Sequence, residues 1–359
     1  MTHLATQLVL LALGCMGAGC SLGGLSDGQR SADAGATGDA GPASAITVLA
    51  TDEPEVSELL VTGLSLFWVN GGRQGSIGGC TLASCAGEKR KIASAQGAPQ
   101  GLTADGETIA WVNNADATVM AQPKEGPALA VATAQLSPSG VSLRGDRAYW
   151  LNASCKAGGS PPCLATAKLG APGASVVLDQ YDAGRLLRRS GAELYWFDSN
   201  TKSGILRALR LTGDTSSDNV RELAAIGEDI VALEIDTADA YVVTRAKGTI
   251  ASVDRQAKGA TPTVQAQLGA PALAATSDTD ALYVLLRRDG QPRATVARCV
   301  KKAPATCDEY QLPDLDPSAL AVDGASLYVA DRPSQRILRM PKVCGGGATC
   351  RSFAARTSP

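Results

Sequence analysis

The sequence predicts an all-β fold, a β-propeller of about seven four-stranded antiparallel blades, and three observations support this prediction. A pattern of two short apolar strands joined by a tight turn recurs seven times along the 359-residue chain. Its spacing of 39 to 46 residues matches the length of one four-stranded blade. No stretch with the 3.6-residue apolar period of an amphipathic helix interrupts the series.

The first 19 residues have the character of an export signal. Residues 8–19 form an apolar run that ends in small side chains and is too short to cross a bilayer as a helix. Cys20 follows directly, and this order resembles the lipobox of bacterial lipoproteins, in which the cysteine is acylated and becomes the new N-terminus. We therefore expect a lipoprotein-type signal peptide over residues 1–19 and lipidation at Cys20.

Two alternatives to acylation at Cys20 remain open. Cys15 follows Leu13 and Gly14 and is a rival acylation site. An ordinary cleaved signal with incidental cysteines would instead leave no lipid anchor.

Residues 20–45 have the composition of a tether. They are rich in Gly, Ser, Ala and Asp and carry almost no large apolar side chain, so they cannot bury enough surface to offset the entropy of folding. We expect an acylated cysteine and flexible linker over residues 20–45 and the propeller over residues 46–359. The protein would then be exported and lipid-anchored in the bacterial cell envelope, on the periplasmic side or at the cell surface.

The second strand of each repeat is led by aromatic and β-branched residues, which suit a pleated sheet. Turn pairs such as Asp105-Gly106 separate it from the first strand and are a strong hairpin signal. Aligned on this second strand, the repeats fall at Trp68, Trp111, Trp150, Trp196, Val242, Val284 and Val329. All four tryptophans share one repeat position, which favours a place in the core between blades over a sugar-binding platform.

Two segments compete for the strand that closes the ring. Residues 46–50 precede the first repeat and can join the last blade as its fourth strand. Residues 351–354, at the other end of the chain, are the alternative.

Two of the repeat patterns resemble known families. Residues 320–331, with residues 337–339 after them, look like an NHL repeat, and the Tyr-Trp-x-Asn/Asp form of residues 149–152 and 195–198 is similar to YWTD-type repeats. The resemblance covers residues 60–355 and concerns the scaffold. It implies a propeller of six or seven blades that serves as a protein-binding module, a lactonase or a lyase.

Eight cysteines remain beyond the signal, and they form close pairs in sequence: Cys80/Cys85, Cys155/Cys163, Cys299/Cys307 and Cys344/Cys350. An even number of cysteines in an exported chain predicts disulfides, and these spacings are not the C-x-x-C of metal thiolate sites. Repeat position places the Cys155/Cys163 pair in a loop between the second and third strands. The other three pairs fall in third-to-fourth-strand hairpins, and no free thiol is left for catalysis.

Composition narrows the possible chemistry. The formal net charge is −2 with no basic stripe, which argues against nucleic-acid binding. The one histidine, His3, lies in the predicted signal, so the mature chain would lack the histidine of Ser-His-Asp and Cys-His nucleophile systems and of His-ligated zinc or haem. We predict no catalytic residues, no metal ligands and no cofactor, and membrane contact only through the lipid.

Strand order decides which loops share a face. If the strands of a blade are named a to d from the channel outward, the d-to-a and b-to-c loops share one rim, which we name the b-c rim; the opposite face is the a-b rim. The b-c rim of the last three blades collects basic residues: Arg245, Lys247, Arg287, Arg288, Arg332 and Arg336. This basic arc is the candidate binding face, for an unknown acidic protein surface or small anionic ligand. Asp182, Asp229 and Asp316 share the rim, and by neutralising the arc they would make it an ordinary solvated surface.

Asn or Asp ends five of the b strands, on the same rim: Asn70, Asn113, Asn152, Asp198 and Asp331. We interpret them as structural residues that cap turns by bonding backbone N–H groups. A ligand-binding role is the alternative.

Two functional hypotheses follow. The first is a tethered binding module that presents one face to a protein or ligand in the envelope. The second is a metal-dependent hydrolase of the gluconolactonase type, in which a cation held by Glu, Asn and Asp activates water without histidine. A lyase similar to the virginiamycin-type propeller enzymes, which use histidine, is excluded by composition. Absence of identifiable catalytic groups favours the binding module.

Overall fold

The computed structural model describes residues 46–155, 161–171, 175–180, 184–199, 204–213, 218–288, 294–301, 305–312, 315–342 and 350–354. The described residues form 29 strands and no helix, in seven antiparallel sheets. The first strand, β1 (Thr47–Ala50), belongs to the last of these sheets. The predicted signal peptide (1–19) and the predicted acylated cysteine and linker (20–45) lie outside the described residues.

The first four blades each consist of four consecutive strands, which follow one another from the channel outward. Blades one and two are β2 (Val56–Thr62), β3 (Ser65–Asn70), β4 (Gly75–Thr81) and β5 (Arg90–Gln96), then β6 (Pro99–Asp105), β7 (Thr108–Asn113), β8 (Thr118–Gln122) and β9 (Leu129–Ala132). Blades three and four are β10 (Leu136–Arg144), β11 (Arg147–Ser154), β12 (Cys163–Lys168) and β13 (Val176–Gln180), then β14 (Gly184–Ser190), β15 (Glu193–Asp198), β16 (Ile205–Arg210) and β17 (Arg221–Ala225).

The last three blades complete the ring. Blades five and six are β18 (Ile230–Ile235), β19 (Asp239–Thr244), β20 (Thr249–Asp254) and β21 (Thr263–Gln267), then β22 (Ala272–Ser277), β23 (Ala281–Arg287), β24 (Ala294–Val300) and β25 (Thr306–Gln311). Blade seven is β26 (Pro317–Val322), β27 (Ser326–Asp331), β28 (Arg336–Pro341) and the N-terminal strand β1. A fifth strand, β29 (Cys350–Ala354), extends blade six. The seven-bladed propeller predicted from the repeats is confirmed.

The two ends of the chain take different places. Strand β1 pairs antiparallel with β28, so that Val48 lies opposite Leu338, and it closes the ring as the fourth strand of blade seven. Strand β29 pairs with β25 at the outer edge of blade six. Residues 46–50 are therefore the closing segment, and residues 351–354 add an outer strand to the preceding blade instead.

Every inner strand carries a β-bulge near its start. In all seven a-to-b pairings the register is interrupted on the inner strand, for example between Val56 and Glu58 in blade one and between Pro138 and Gly140 in blade three. A bulge bends its strand and redirects side chains and N–H groups. Because the inner strands line the channel, these bulges shape its wall at the b-c rim.

The hydrophobic core lies between neighbouring blades. All seven repeat markers occupy b strands, and the four tryptophans are at most 1% exposed, which confirms their predicted place in the core. Trp68 packs on the neighbouring strand at Gly78, where a Cβ atom would lie 2.2 Å from the indole ring. None of the described residues forms a helix with the length and apolarity that a membrane span requires.

Three predicted disulfides are present. Cys299 and Cys307 lie directly opposite each other on β24 and β25, and Cys80–Cys85 closes the hairpin between β4 and β5. Cys155–Cys163 closes the loop between β11 and β12, as repeat position predicts. The fourth predicted pair includes Cys344, which lies outside the described residues, while Cys350 begins β29 at the edge of blade six. The predicted place of this pair in a third-to-fourth-strand hairpin is therefore wrong, because β1 supplies the fourth strand of blade seven.

Candidate functional site

The structure places the predicted basic arc on the b-c rim of blades five to seven. Arg245 follows β19, Arg287 ends β23 and Arg288 follows it, while Arg332 and Arg336 flank the loop between β27 and β28. Arg245, Arg287 and Arg332 are exposed. The arc is therefore on the surface, and its members come from three consecutive blades.

Acidic side chains accompany most of this arc. Arg287 pairs with Asp316, Arg288 with Glu309, and Arg336 with Asp331 at 3.6 Å. Two of the acids that the sequence suggested as neutralising partners, Asp229 and Asp316, do form ion pairs, while Asp182 lies outside the described residues. No ion pair to Lys247 or Arg332 occurs within the described part of the chain. The rim thus carries charges of both signs, and the positive charges of Lys247 and Arg332 have no acidic partner in the described part of the chain.

One carboxylate on this rim serves two guanidinium groups. Asp229 accepts Arg245 Nε at 2.8 Å and also pairs with Arg185, which lies at the start of β14 and lines the mouth of the channel. The Arg185 guanidinium also lies over the Phe197 ring, 5.3 Å from its centroid. Burial, and then the nearby positive charge of Arg245, lower the pKa of Arg185 below its usual value. At this point of the rim, two guanidinium groups thus share one carboxylate, and positive charge is in excess.

A central channel of about 740 Å³ opens beside Arg185. All seven inner strands contribute to its wall, which is mostly leucine, valine, alanine and glycine. The polar side chains in the wall are Ser57, Glu58, Gln100, Thr103, Ser139, Arg185, Arg188, Glu234, Thr276, Ser277 and Ser318. An apolar wall with a few polar groups is the usual composition of a small-molecule site.

Near the b-c rim, polar channel groups join neighbouring blades. The Glu58 carboxylate accepts the backbone N–H groups of Gly101 at 2.8 Å and Leu102 at 2.7 Å. Gly101 has φ +69°, and a Cβ atom there would lie 3.1 Å from Gly140 Cα, so this turn of the bulge requires glycine. Ser139 donates to the Gly184 carbonyl at 2.9 Å. Glu58 and Ser139 thus make hydrogen bonds between blades of the propeller itself.

Deeper in the channel, three polar groups come from consecutive blades. Glu234 accepts a hydrogen bond from Ser277 Oγ at 3.0 Å, and Arg188 lies on the adjacent inner strand β14. Burial raises the pKa of Glu234, against the opposing effects of Arg188, Ser277 and Lys301. The sequence singled out none of these residues, because their approach depends on the bulges and on ring closure.

The polar ends of the first three b strands form a repeated lock. Trp150 Nε1 and Asn152 Nδ2 both donate to Gln135 Oε1 at 2.9 Å. The same pair of contacts joins Trp111 and Asn113 to Gln96, and Trp68 and Asn70 to Glu53. The prediction that these asparagines are structural is supported, but the acceptors are side chains at the end of the preceding d strand or in the d-to-a loop, not the backbone of the turn.

A sequence signal for this lock exists. Each acceptor lies 15 residues before the tryptophan and 17 before the asparagine of its blade. Residues that flank each acceptor have positive φ, such as Ala134 and Ser137 around Gln135, so the three loops share one backbone shape. Asp331 does accept a backbone N–H group, but from Asp316 in the preceding d-to-a loop at 3.0 Å, not from its own turn.

Within the described ranges, no group of three or more His, Cys, Asp or Glu side chains is arranged to hold a metal ion. The hydrolase hypothesis therefore lacks an identified ligand set in this part of the chain.

No family model matches the chain, and no curated protein matches its sequence. Solved structures do match it. A streptogramin B lyase superposes with a TM-score of 0.60 at 11% identity, over 82% of this chain and 96% of the lyase. A catalytically inactive virginiamycin B lyase from Staphylococcus aureus, with quinupristin, gives 0.56 at 12% identity, over 83% and 99%.

A third match is to a designed protein. The computationally designed Ika8 protein gives a TM-score of 0.54 at 11% identity, over 82% of this chain and 98% of the design. At these identities the likeness concerns the fold alone.

Proposed function

We propose that this chain is an exported, lipid-anchored binding module that captures an acidic protein surface on its b-c rim. One observation carries the proposal: Asp229 is the shared counter-ion of Arg185 and Arg245. A carboxylate brought by a partner would supply the second counter-charge and form charge-assisted hydrogen bonds.

The extent of the basic arc favours a macromolecular partner. Arg245, Arg287 and Arg332 are exposed and come from the b-to-c loops of three consecutive blades. A single small anion contacts one such loop, whereas a protein surface spans all three. Complementary surface charge accelerates encounter and orients the partner.

Export and anchoring belong to the same proposal. Three disulfides within the described ranges indicate an oxidising compartment. Acylation of Cys20 would attach the propeller to a membrane through residues 21–45, on the periplasmic side or at the cell surface. Incorporation of a fatty-acid analogue that Cys20→Ser abolishes tests the anchor, and abolition by Cys15→Ser instead would move the cleavage site.

The enzymatic alternatives lack supporting residues in the described part of the chain. A histidine-to-alanine variant of the virginiamycin B lyase is described as catalytically inactive, and the only histidine of this chain is His3. The channel carboxylate Glu58 is already held by two backbone N–H groups. A lactone hydrolysis activity that depends on a divalent cation and is lost with EDTA would favour the hydrolase over the binding module.

A charge-reversal experiment tests the binding face. We expect Arg245→Glu, Arg287→Glu and Arg332→Glu together to weaken capture of a crosslinked envelope partner, and added salt to weaken capture by the unmodified protein. Lys124→Glu, Lys168→Glu and Arg210→Glu together are the matched control, because all three side chains lie exposed on the opposite rim and the change in net charge is the same. Thermal unfolding should change little in either variant, since exposed ion pairs contribute about 0–1 kcal/mol. Equal capture by both variants would contradict the proposal.

A further inference from the structure

The part of the channel nearer the a-b rim holds a polar cluster that the rim proposal does not use. Arg188, Glu234 and Ser277 lie on the inner strands of blades four, five and six, and all three line the channel. Arg188 lies opposite Tyr195 and Glu234 opposite Tyr241, towards the ends of their strands. Arg185, at the start of β14, marks the other end of the channel.

Arg188 presents a guanidinium group to the channel. Its Nη1 donates to the neighbouring Leu187 carbonyl at 3.1 Å. No acid of the described ranges forms an ion pair with it. Glu234 acts on it only from a longer distance, and that carboxyl group already accepts Ser277 Oγ. A guanidinium group without an ion-pair partner can bind a carboxylate through two parallel hydrogen bonds.

The wall around this cluster is apolar. Leu59, Leu102 and Leu273 come from three different blades, line the channel and are partly exposed, whereas Leu187 and Leu320 belong to the buried core behind the wall. The volume of about 740 Å³ falls within the range of small-molecule pockets. Hydrocarbon placed here would leave water, which is favourable in proportion to the apolar area that it buries.

We propose that the channel binds a small amphipathic carboxylate, with its carboxylate on Arg188 and its hydrocarbon body against the channel leucines. Ser277 and Glu234 bound the polar end of the site, and the neighbouring cation Lys301 offsets the charge of Glu234. The site is independent of the rim proposal, because it uses different residues and a ligand that fits inside the ring.

Three probes of equal length and different charge test the proposal. Isothermal titration of the full chain should show one hexanoate bound per molecule. Hexanamide should bind about ten- to a hundred-fold more weakly, because it loses a hydrogen bond to a charged group, and hexylammonium should not bind. Equal affinity for all three probes, or no measurable hexanoate binding, would overturn the proposal.

Substitutions locate the carboxylate. Arg188→Gln should lower hexanoate affinity by about the same ten- to a hundred-fold, and Arg188→Lys should retain part of it. Thermal unfolding of both variants shows whether the fold persists, and the lysine variant keeps the test valid if the glutamine variant unfolds. Arg210→Gln is the control and should not change the affinity, because Arg210 lies exposed at the end of β16 in the same blade and does not line the channel. Loss of binding in Arg185→Gln with full binding in Arg188→Gln would place the anion at the other end of the channel and defeat the proposal.

Discussion

At the scale of single residues, blade one differs from blades two and three by one functional group. Gln96 and Gln135 each accept the Trp and Asn donors, and each donates its own Nε2 to the carbonyl two residues earlier, at 2.9 and 2.8 Å. The carboxylate of Glu53 has no such donor. Lys89 Nζ takes that place instead, because it contacts the Thr51 carbonyl at 2.5 Å and Glu53 Oε1 at 3.1 Å. In blade one, the Lys89 ammonium group and the Glu53 carboxylate together make the hydrogen bonds that a single glutamine side chain makes in blades two and three.

We therefore predict that substitutions of Lys89 and Glu53 have non-additive effects on the free energy of unfolding. Lys89→Met should lower the free energy of unfolding by about 0.5–1 kcal/mol in the unmodified chain, because Lys89 is 42% exposed and its ion pair is partly screened. In the Glu53→Gln background the same change should cost almost nothing, since the new side-chain amide can itself donate to the Thr51 carbonyl. A double-mutant cycle in urea measures the coupling.

The exposed pair of Lys124 and Glu107 is the control for that cycle. Its side chains are 61% and 64% exposed, so its coupling should be close to zero. Strictly additive effects of the Lys89 and Glu53 substitutions would show that Lys89 does not replace the amide.

At the scale of strands and turns, the a-to-b hairpins of blades five to seven share an aspartate. Asp236, Asp278 and Asp323 each accept two backbone N–H groups of their own turn at 2.7–3.0 Å. Asp278 additionally accepts Lys342 Nζ at 2.8 Å, which joins blade six to the end of β28 in blade seven. The turn residue therefore also acts between blades.

Asp278 should make stability depend on pH. Burial acts to raise its pKa, but the hydrogen bonds from Lys342 and from the backbone of Ala281 and Asp280 outweigh burial and lower it. Its contribution is therefore present above the pKa of the unfolded chain and is lost as the pH falls through the lower folded-state pKa. We expect Asp278→Asn to cost about 1–2 kcal/mol at neutral pH and almost nothing in acid, measured by urea unfolding at several pH values.

Asp254→Asn is the comparison for this experiment. Asp254 lies exposed and accepts one backbone N–H, from Gln256 at 2.8 Å. Its substitution should have a smaller effect at every pH. A cost of Asp278→Asn that is the same in acid and at neutral pH would contradict the charge-based account.

At the scale of the whole molecule, the N-terminal strand closes the ring. Strand β1 buries Leu49 at 3% and Ala50 at 5% exposure, in a cluster with residues of blades one and seven. Without it, β28 becomes an outer strand whose N–H and C=O groups are unpaired. Strand β29, by contrast, adds to the outside of a blade that already has four strands.

Two truncations should therefore differ. A chain that begins at Asp52 should lose about 3–5 kcal/mol, from the buried Leu49 side chain and the lost strand pairing, and should unfold over a broader temperature range. A chain that ends at Lys342 keeps the ring closed and should lose less. Scanning calorimetry compares the two, and an equal or larger loss from the C-terminal truncation would assign the closing role to the wrong end.

The candidate sites were accessible from the sequence to different degrees. Loop position placed Arg245, Arg287 and Arg332 on one rim without any structure, because strand alternation decides which loops share a face. The sequence could not predict that Asp229 also pairs with Arg185, because Arg185 belongs to a different blade and lies 44 residues before Asp229. Arg188 and Glu234 also come from different blades. In addition, nothing in the local sequence pattern shows which residues of an inner strand line the channel.

Local chemistry alone was enough for the repeat, the number of blades and the pairing of Cys299 with Cys307, because strand alternation, turn residues and short disulfide loops are properties of neighbouring residues. Ring closure by β1, the bulge in each inner strand and the charges that meet in the channel required the folded ring. Ring closure pairs strands from opposite ends of the chain, and the channel charges come from different blades, so a one-dimensional pattern carries no measure of the distances between them. Each bulge lies within one blade, but its position is set by the register of the paired strands.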